Sequence, residues 1–90
     1  MHLKYEFVIS EVGGAYCAVC VGDDMDKYNG LIKMNKTSAY IFNLLFEDIT
    51  FDEIVKKLSQ KYDATPEVLT KETEKFLKTL ESENILSNER

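Results

Sequence analysis

Asn35-Lys36-Thr37-Ser38-Ala39-Tyr40-Ile41-Phe42-Asn43-Leu44-Leu45-Phe46 is the stretch whose reading decides the fold. Its first residues offer several side chains able to cap a helix, and from Ala39 onward there is hardly a polar position. A helix on a protein surface carries one apolar stripe and a charged back, and this one has no charged back. A short helix that is apolar nearly all round must be covered on several sides. The segments before Asn35 and after Phe46 are therefore expected to pack against it, making it the central helix of one small core.

Working toward the amino terminus, Leu31-Ile32-Lys33-Met34 reads as a short strand running directly into that helix, preceded by Asn29-Gly30 and a polar connection from Asp24 to Tyr28. Further back, Leu3, Tyr5, Phe7 and Ile9 alternate with Lys4, Glu6 and Ser10, the period of a strand with one buried face, with Val8 the apolar exception. Gly13-Gly14 supplies a turn that tolerates positive φ. Ala15 to Val21 then forms a second strand, closed by Gly22-Asp23-Asp24. The amino-terminal third is thus a three-stranded antiparallel meander, too small to stand without a helix layer on one face.

Toward the carboxyl terminus, Thr50-Phe51-Asp52-Glu53 fits a capping box. Phe51, Ile54, Val55, Leu58 and Tyr62 follow on one helical face, with Asp52/Lys56 and Glu53/Lys57 as i,i+4 pairs outside. Asp63-Ala64-Thr65-Pro66 ends that helix and starts the next, since proline at the first helical position lacks only an N–H that has no partner there. From Pro66 to about Glu83 the apolar stripe is Leu69, Thr73, Phe76, Leu77 and Leu80, with Glu67/Lys71 and Glu74/Lys78 outside. Leu44 and Phe76 lie on stripes expected to face one another. Asn84 is placed to end the helix as a left-handed cap, after which Ile85 and Leu86 return to the core ahead of a polar tail, Ser87 to Arg90. The expected fold class is α+β: one domain spanning 1–90, a three-stranded antiparallel β-meander followed by a three-helix bundle.

Bulk composition agrees. Ninety residues, 44% apolar and 30% charged, describe one ordinary globular domain. The longest apolar runs fall far short of the roughly 20 residues of a spanning helix, and the first six residues lack the basic start and apolar run of a signal peptide; the expected location is the cytoplasm, with no membrane partner. A net charge of -5 and a pI near 4.8 give an average field that repels phosphate backbones, so no nucleic-acid partner is expected.

Residues that could carry chemistry are few. Cys17 and Cys20 have the spacing of half a metal or redox motif, but within a strand residues three apart point to opposite faces, whereas thiolates sharing a zinc need a turn. Both are read as buried free thiols. The lone histidine, His2, sits in a terminus expected to be mobile. Asp23-Asp24 lacks the spaced ligand series of a calcium loop, and Gly13-Gly14 has no following helix to make a phosphate loop. The carboxylates are accounted for as caps and surface pairs. No catalytic residue, cofactor or metal is expected, so the domain should act by binding.

The run Asn29 to Leu45, followed by Thr50-Phe51-Asp52-Glu53-Ile54-Val55, by Tyr62-Asp63, and by Phe76-Leu77-x-x-Leu80 ending in Ile85-Leu86, resembles the PqqD-like family. In that family a short strand leads through a Leu-Asn-like pair and a small-residue cap into an apolar helix ending in Leu-Leu, then a helix opening Thr-x-x-Glu-Ile and a last helix with Phe-Leu-x-x-Leu. The resemblance covers residues 3 to 86. Met34 departs from the usual leucine, Ser38-Ala39 from a frequent glycine, Phe42 from a frequent tryptophan and Asn84 from a common glycine; all four are compatible with the fold.

The resemblance implies a winged-helix-like arrangement of the three strands and three helices, and a non-catalytic peptide chaperone, the recognition element for ribosomally made, post-translationally modified peptides. Such a domain holds the leader of a precursor peptide and presents the rest to a modifying enzyme, for which a radical S-adenosylmethionine enzyme is the expectation. The meander adds a route: the free edge of its third strand can take an extended peptide by strand addition. The expected peptide-binding residues are Gly30, Leu31, Ile32, Lys33 and Met34 on the strand and Val68, Lys71, Glu72 and Lys75 on the third helix. Two other readings compete. A winged-helix DNA-binding module would use Lys71, Lys75 and Lys78, but the same helix carries Glu67, Glu72, Glu74, Glu81 and Glu83, and arginine is absent before Arg90. A small dimerisation or regulatory subunit would pair the same strand edge with itself. The expected state is a monomer or weak homodimer.

Overall fold

The computed structural model describes residues 1–24, 26–28 and 30–88; the readings that fall on Asn29, Glu89 and Arg90 lie outside them. Its elements are β1 (His2–Leu3), β2 (Phe7–Val12), β3 (Ala15–Cys20), a tight helical turn at Gly22–Asp24, β4 (Leu31–Met34), α1 (Lys36–Leu44), α2 (Phe51–Lys61), α3 (Pro66–Ser82) and β5 (Leu86–Ser87). The expected α+β order is present, with an antiparallel sheet β2-β3-β4 followed by three helices. Gly13 and Gly14 stand at φ 59 and 84, the left-handed pair that a two-residue type I′ turn demands, so Val12 pairs directly with Ala15.

The first strand differs from its expectation. The alternation from Leu3 to Ile9 is divided between two sheets: His2–Leu3 pairs with Leu86–Ser87, and only Phe7–Val12 joins the meander. Backbone partners outside the meander cause the split. The Leu3 N–H donates to Leu45 C=O at 3.1 Å, that of Lys4 to Ile85 C=O at 2.8 Å, and Ile49 donates to Met1 C=O at 2.9 Å. The first residues are thus strapped across the ends of α1 and α3, and His2 is held in a strand rather than in a mobile terminus.

Phe42 is the hub of the core. It is 0% exposed and meets the rings of Phe7, Phe46 and Phe76 edge-on at 5.3, 5.9 and 6.4 Å. Leu44, expected opposite Phe76, is only half-buried; helical rotation brings Phe42 there instead. Phe46 lies past the last turn of α1 and is 48% exposed.

The carboxyl-terminal half follows its signals closely. Both halves of the capping box at α2 form, Thr50 Oγ1 accepting from Glu53 N–H at 3.2 Å and Glu53 Oε1 from Thr50 N–H at 3.0 Å. Thr65 caps α3 ahead of Pro66, and the buried residues of α3 are Leu69, Thr73, Phe76, Leu77 and Leu80. Asn84 takes φ 60, the left-handed cap, and returns Ile85 and Leu86 to the core. None of the four i,i+4 pairs drawn on α2 and α3 closes to an ion-pair contact among the described residues, in keeping with the small gain such exposed pairs offer. No helix of the described residues is long and apolar enough to cross a membrane.

Candidate functional site

β4 is hydrogen-bonded to β3 on one side and, among the described residues, to no strand on the other. Which backbone groups face the open side follows from the hairpin. Val21 N–H donates to Glu6 C=O at 2.9 Å in continuation of the β2-β3 register. Because successive residues of a strand direct their N–H and C=O groups to opposite edges, Ala15, Cys17 and Val19 bond toward β2, and Tyr16, Ala18 and Cys20 toward β4. Their partners on β4, Met34 opposite Tyr16 and Ile32 opposite Ala18, bond back. Leu31 and Lys33 therefore hold two N–H and two C=O groups toward the open edge.

The same alternation sorts the side chains. Ile32 and Met34 point into the core at 6% and 7% exposure, while Leu31 is 53% exposed on the outer face, and Lys33 is exposed beside it. Leu31 ends an outward row with Val19 and Val8, directly paired across three strands. Gly30 is explained by packing: a Cβ there would meet the Tyr28 hydroxyl at 2.6 Å. Tyr28 in turn lies against Phe7, ring centroids 5.9 Å apart, and burial first, then the negative charge of the nearby Glu83 carboxylate, pushes its hydroxyl above the usual phenol range.

Beyond the end of β4 lies a cavity of ≈ 500 Å³, walled by Asn35 and Thr37 at the start of α1, by Tyr62 before the α2-α3 connection, and by Val68, Leu69 and Glu72 of α3. It exists because α3 makes its main contacts with α2, α1 and β5, leaving its first turns standing off the strand. Val68, 50% exposed, and Glu72 follow one another at i,i+4 on this wall. Lys71 and Lys75 are exposed on α3 but do not line the cavity. Asn35, Thr37, Tyr62 and Leu69 escaped the sequence-based choice because each already had a structural reading, as cap or core. The signal available was the exposed Val68 in a first helical turn, an apolar residue with no partner on the helix stripe.

The chemical groups of the chain lie elsewhere. Cys20 is buried and its Sγ donates to Asp24 C=O at 3.1 Å. Burial first, then the nearby Asp24 and Glu6 carboxylates, pushes its thiol up. Cys17 is on the opposite sheet face and only half-buried, so the expected opposition of the two thiols holds while the full burial of both does not. Asp24 accepts from the Glu6 N–H at 3.1 Å and pairs with Lys27 at 3.4 Å, so the acidic turn is structurally employed. Among the described residues no three His, Cys, Asp or Glu side chains gather as a metal would need.

An open strand edge beside a part-apolar cavity is thus the candidate site. The family model described as Coenzyme PQQ synthesis protein D (PqqD) matches residues 18–86. The chain belongs to the PqqD family. The match takes in the end of β3, β4 and all three helices, hence every residue of the candidate site in this PqqD-family chain. A solved structure described as TbiB1 in complex with the TbiA(beta) leader peptide superposes with a TM-score of 0.75 at 16% identity, covering 100% of this chain and 99% of that one. At that identity the likeness concerns the fold. No curated protein matches the chain significantly.

Proposed function

We propose that this PqqD-family chain is a recognition element for a ribosomally made precursor peptide, binding the leader as an added strand along Leu31 and Lys33. The open edge of β4 beside the Val68 cavity carries the reading. Family membership and the fold shared with a leader-peptide complex support it. Four edge hydrogen bonds at about 0.5 to 1.5 kcal/mol each fall short of the roughly 8 kcal/mol of a micromolar complex. An apolar leader side chain in the cavity against Val68 and Leu69 would add about 1.5 to 3 kcal/mol, which narrows the gap and closes it at the upper end of both ranges. Leader residues alternate between that cavity and the outer face beside Leu31, so a period-two apolar pattern is the expected leader signature.

Presentation of the bound precursor to a modifying enzyme, a radical S-adenosylmethionine enzyme in our reading, completes the function, and this chain performs no chemistry itself. Ile32 and Met34 anchor the strand from the core side, Gly30 leads into it, and Lys71 and Lys75 flank the wall that Val68 and Glu72 form. DNA binding is disfavoured by the five glutamates of the Glu67–Glu83 segment and a net charge of -5. Titrating isotope-labelled chain with the leader peptide encoded beside its gene tests the proposal. The largest amide shifts are expected at Leu31, Lys33, Val68 and Glu72; changes confined to β2 or α2 would refute the site.

A further inference from the structure

A second cavity, of ≈ 320 Å³, is bounded by β2, β3, α1 and the end of α2 and shares only Tyr62 with the β4 groove, and its charge is unlike that of the rest of the molecule. Its only charged lining groups are Lys36 and Lys61, in a chain with 16 acidic residues and a net charge of -5. The β4 groove and the cavities at the start of α2 each carry at least one carboxylate. Neither lysine makes an ion pair among the described residues. Lys61 Nζ is held 4.8 Å from the Tyr40 ring centroid and 6.0 Å from that of Tyr62, rings that meet edge-on at 6.2 Å. Lys36 occupies the first position of α1, which has no acidic residue in its first turn. A cation there runs against the helix dipole, and a bound anion would relieve that conflict. Ile9, Tyr16 and Ala39 complete an apolar floor.

The geometry points to a binding site for a carboxylate carried on an apolar or aromatic stem, the carboxylate between Lys36 and Lys61 and the stem on Ile9 and the tyrosine rings. Two sources share this chemistry: a free organic acid, and an acidic side chain of an extended segment. The second has a route, because β2 is the other open edge of the sheet. Even-numbered β2 residues bond toward β3, so Phe7, Ile9 and Glu11 direct their backbone groups outward, and Ile9 also lines the cavity. A strand added there would pass the cavity mouth. Glu11 shares the register row of Tyr16 without lining the cavity, and would repel acids placed beyond that mouth.

Isotope-labelled full chain is titrated with phenylpropionate and its neutral amide, and separately with a short capped peptide carrying a central glutamate and with its glutamine twin. At least one acid should shift the amides of Ile9, Tyr16, Tyr40 and Lys61 while Leu31 and Lys33 stay still. Its neutral twin should bind about tenfold more weakly, the factor for one charge-assisted hydrogen bond. The double variant K36Q/K61Q should lose the same factor, and added salt should weaken the acid in the unaltered chain. Response to the peptide alone identifies an extended acidic segment as the source; response to the small acid alone identifies a free acid. Equal binding of acid and twin, salt-independent binding, or no shift with either acid overturns the site.

Discussion

Phe42 carries more of the core than any other side chain because three aromatic rings close on it from the sheet, the end of α1 and α3. Phe42→Ala should cost about 3 to 5 kcal/mol and Leu44→Ala clearly less, measured by urea denaturation; equal losses would displace Phe42 as the hub. Glu53 presents a pH signature. The Thr50 N–H, then the Thr50 side chain, holds its carboxyl below the usual range, so its contribution is present above the unfolded pKa and is lost as pH falls through the folded one. Unfolding curves of the chain and of Glu53→Gln should therefore converge on acidification from about pH 4.3 downward. A difference unchanged by acid would remove the carboxylate from the cap. Of the thiols, Cys17 should alkylate well before Cys20, whose burial disfavours the reactive thiolate; peptide mass mapping after brief labelling reads the order.

At the scale of elements, the two edges of β4 respond differently to proline. Lys33→Pro removes an N–H that faces the open edge, and proline is tolerated there; the far-ultraviolet spectrum should stay unchanged while leader affinity drops about five- to tenfold, the worth of one hydrogen bond. Ile32→Pro removes a donor to β3 and fills a core position, so it should unfold the sheet. If Lys33→Pro binds leader as well as the unaltered chain, the strand does not add at this edge. The cap of α2 is separable: Thr50→Ala should cost about 1 kcal/mol without touching leader binding, since α2 meets the groove only through Tyr62 and the connection that follows.

For the whole molecule, the prediction is a negative in mass and a positive in binding. Incubated with a precursor peptide and no other protein, the chain should leave the peptide mass unchanged, because on the proposed reading it carries the peptide and a separate enzyme modifies it. A modified peptide would overturn the reading of this chain as a carrier. Leader binding should also compete with any self-association through β4, since both use Leu31 and Lys33; light scattering with and without leader separates a free edge from a paired one.

Local signals settled what local physics controls. Turn chemistry at Gly13-Gly14, the Thr50/Glu53 box, Pro66 and Asn84 each satisfy backbone groups within a few residues, so they were readable without knowing the rest of the chain. The buried stripe of α3 was equally legible, because helical period alone places Leu69, Thr73, Phe76, Leu77 and Leu80 on one side. Four outcomes depended on partners distant in sequence. The break of the first alternating run into β1 and β2 required Leu45 and Ile85 as hydrogen-bond partners, and the choice of Phe42 over Leu44 required the angle at which α3 crosses α1. The assignment of Leu31 and Lys33 to the open edge required the β2-β3 register, and the groove required α3 to stand off β4. Sequence alone determined the three helices, the meander and its turns; only the tertiary structure decided that β1 and β5 pair and which backbone groups were left without a neighbour, because an unpaired edge is defined by what fails to pack against it.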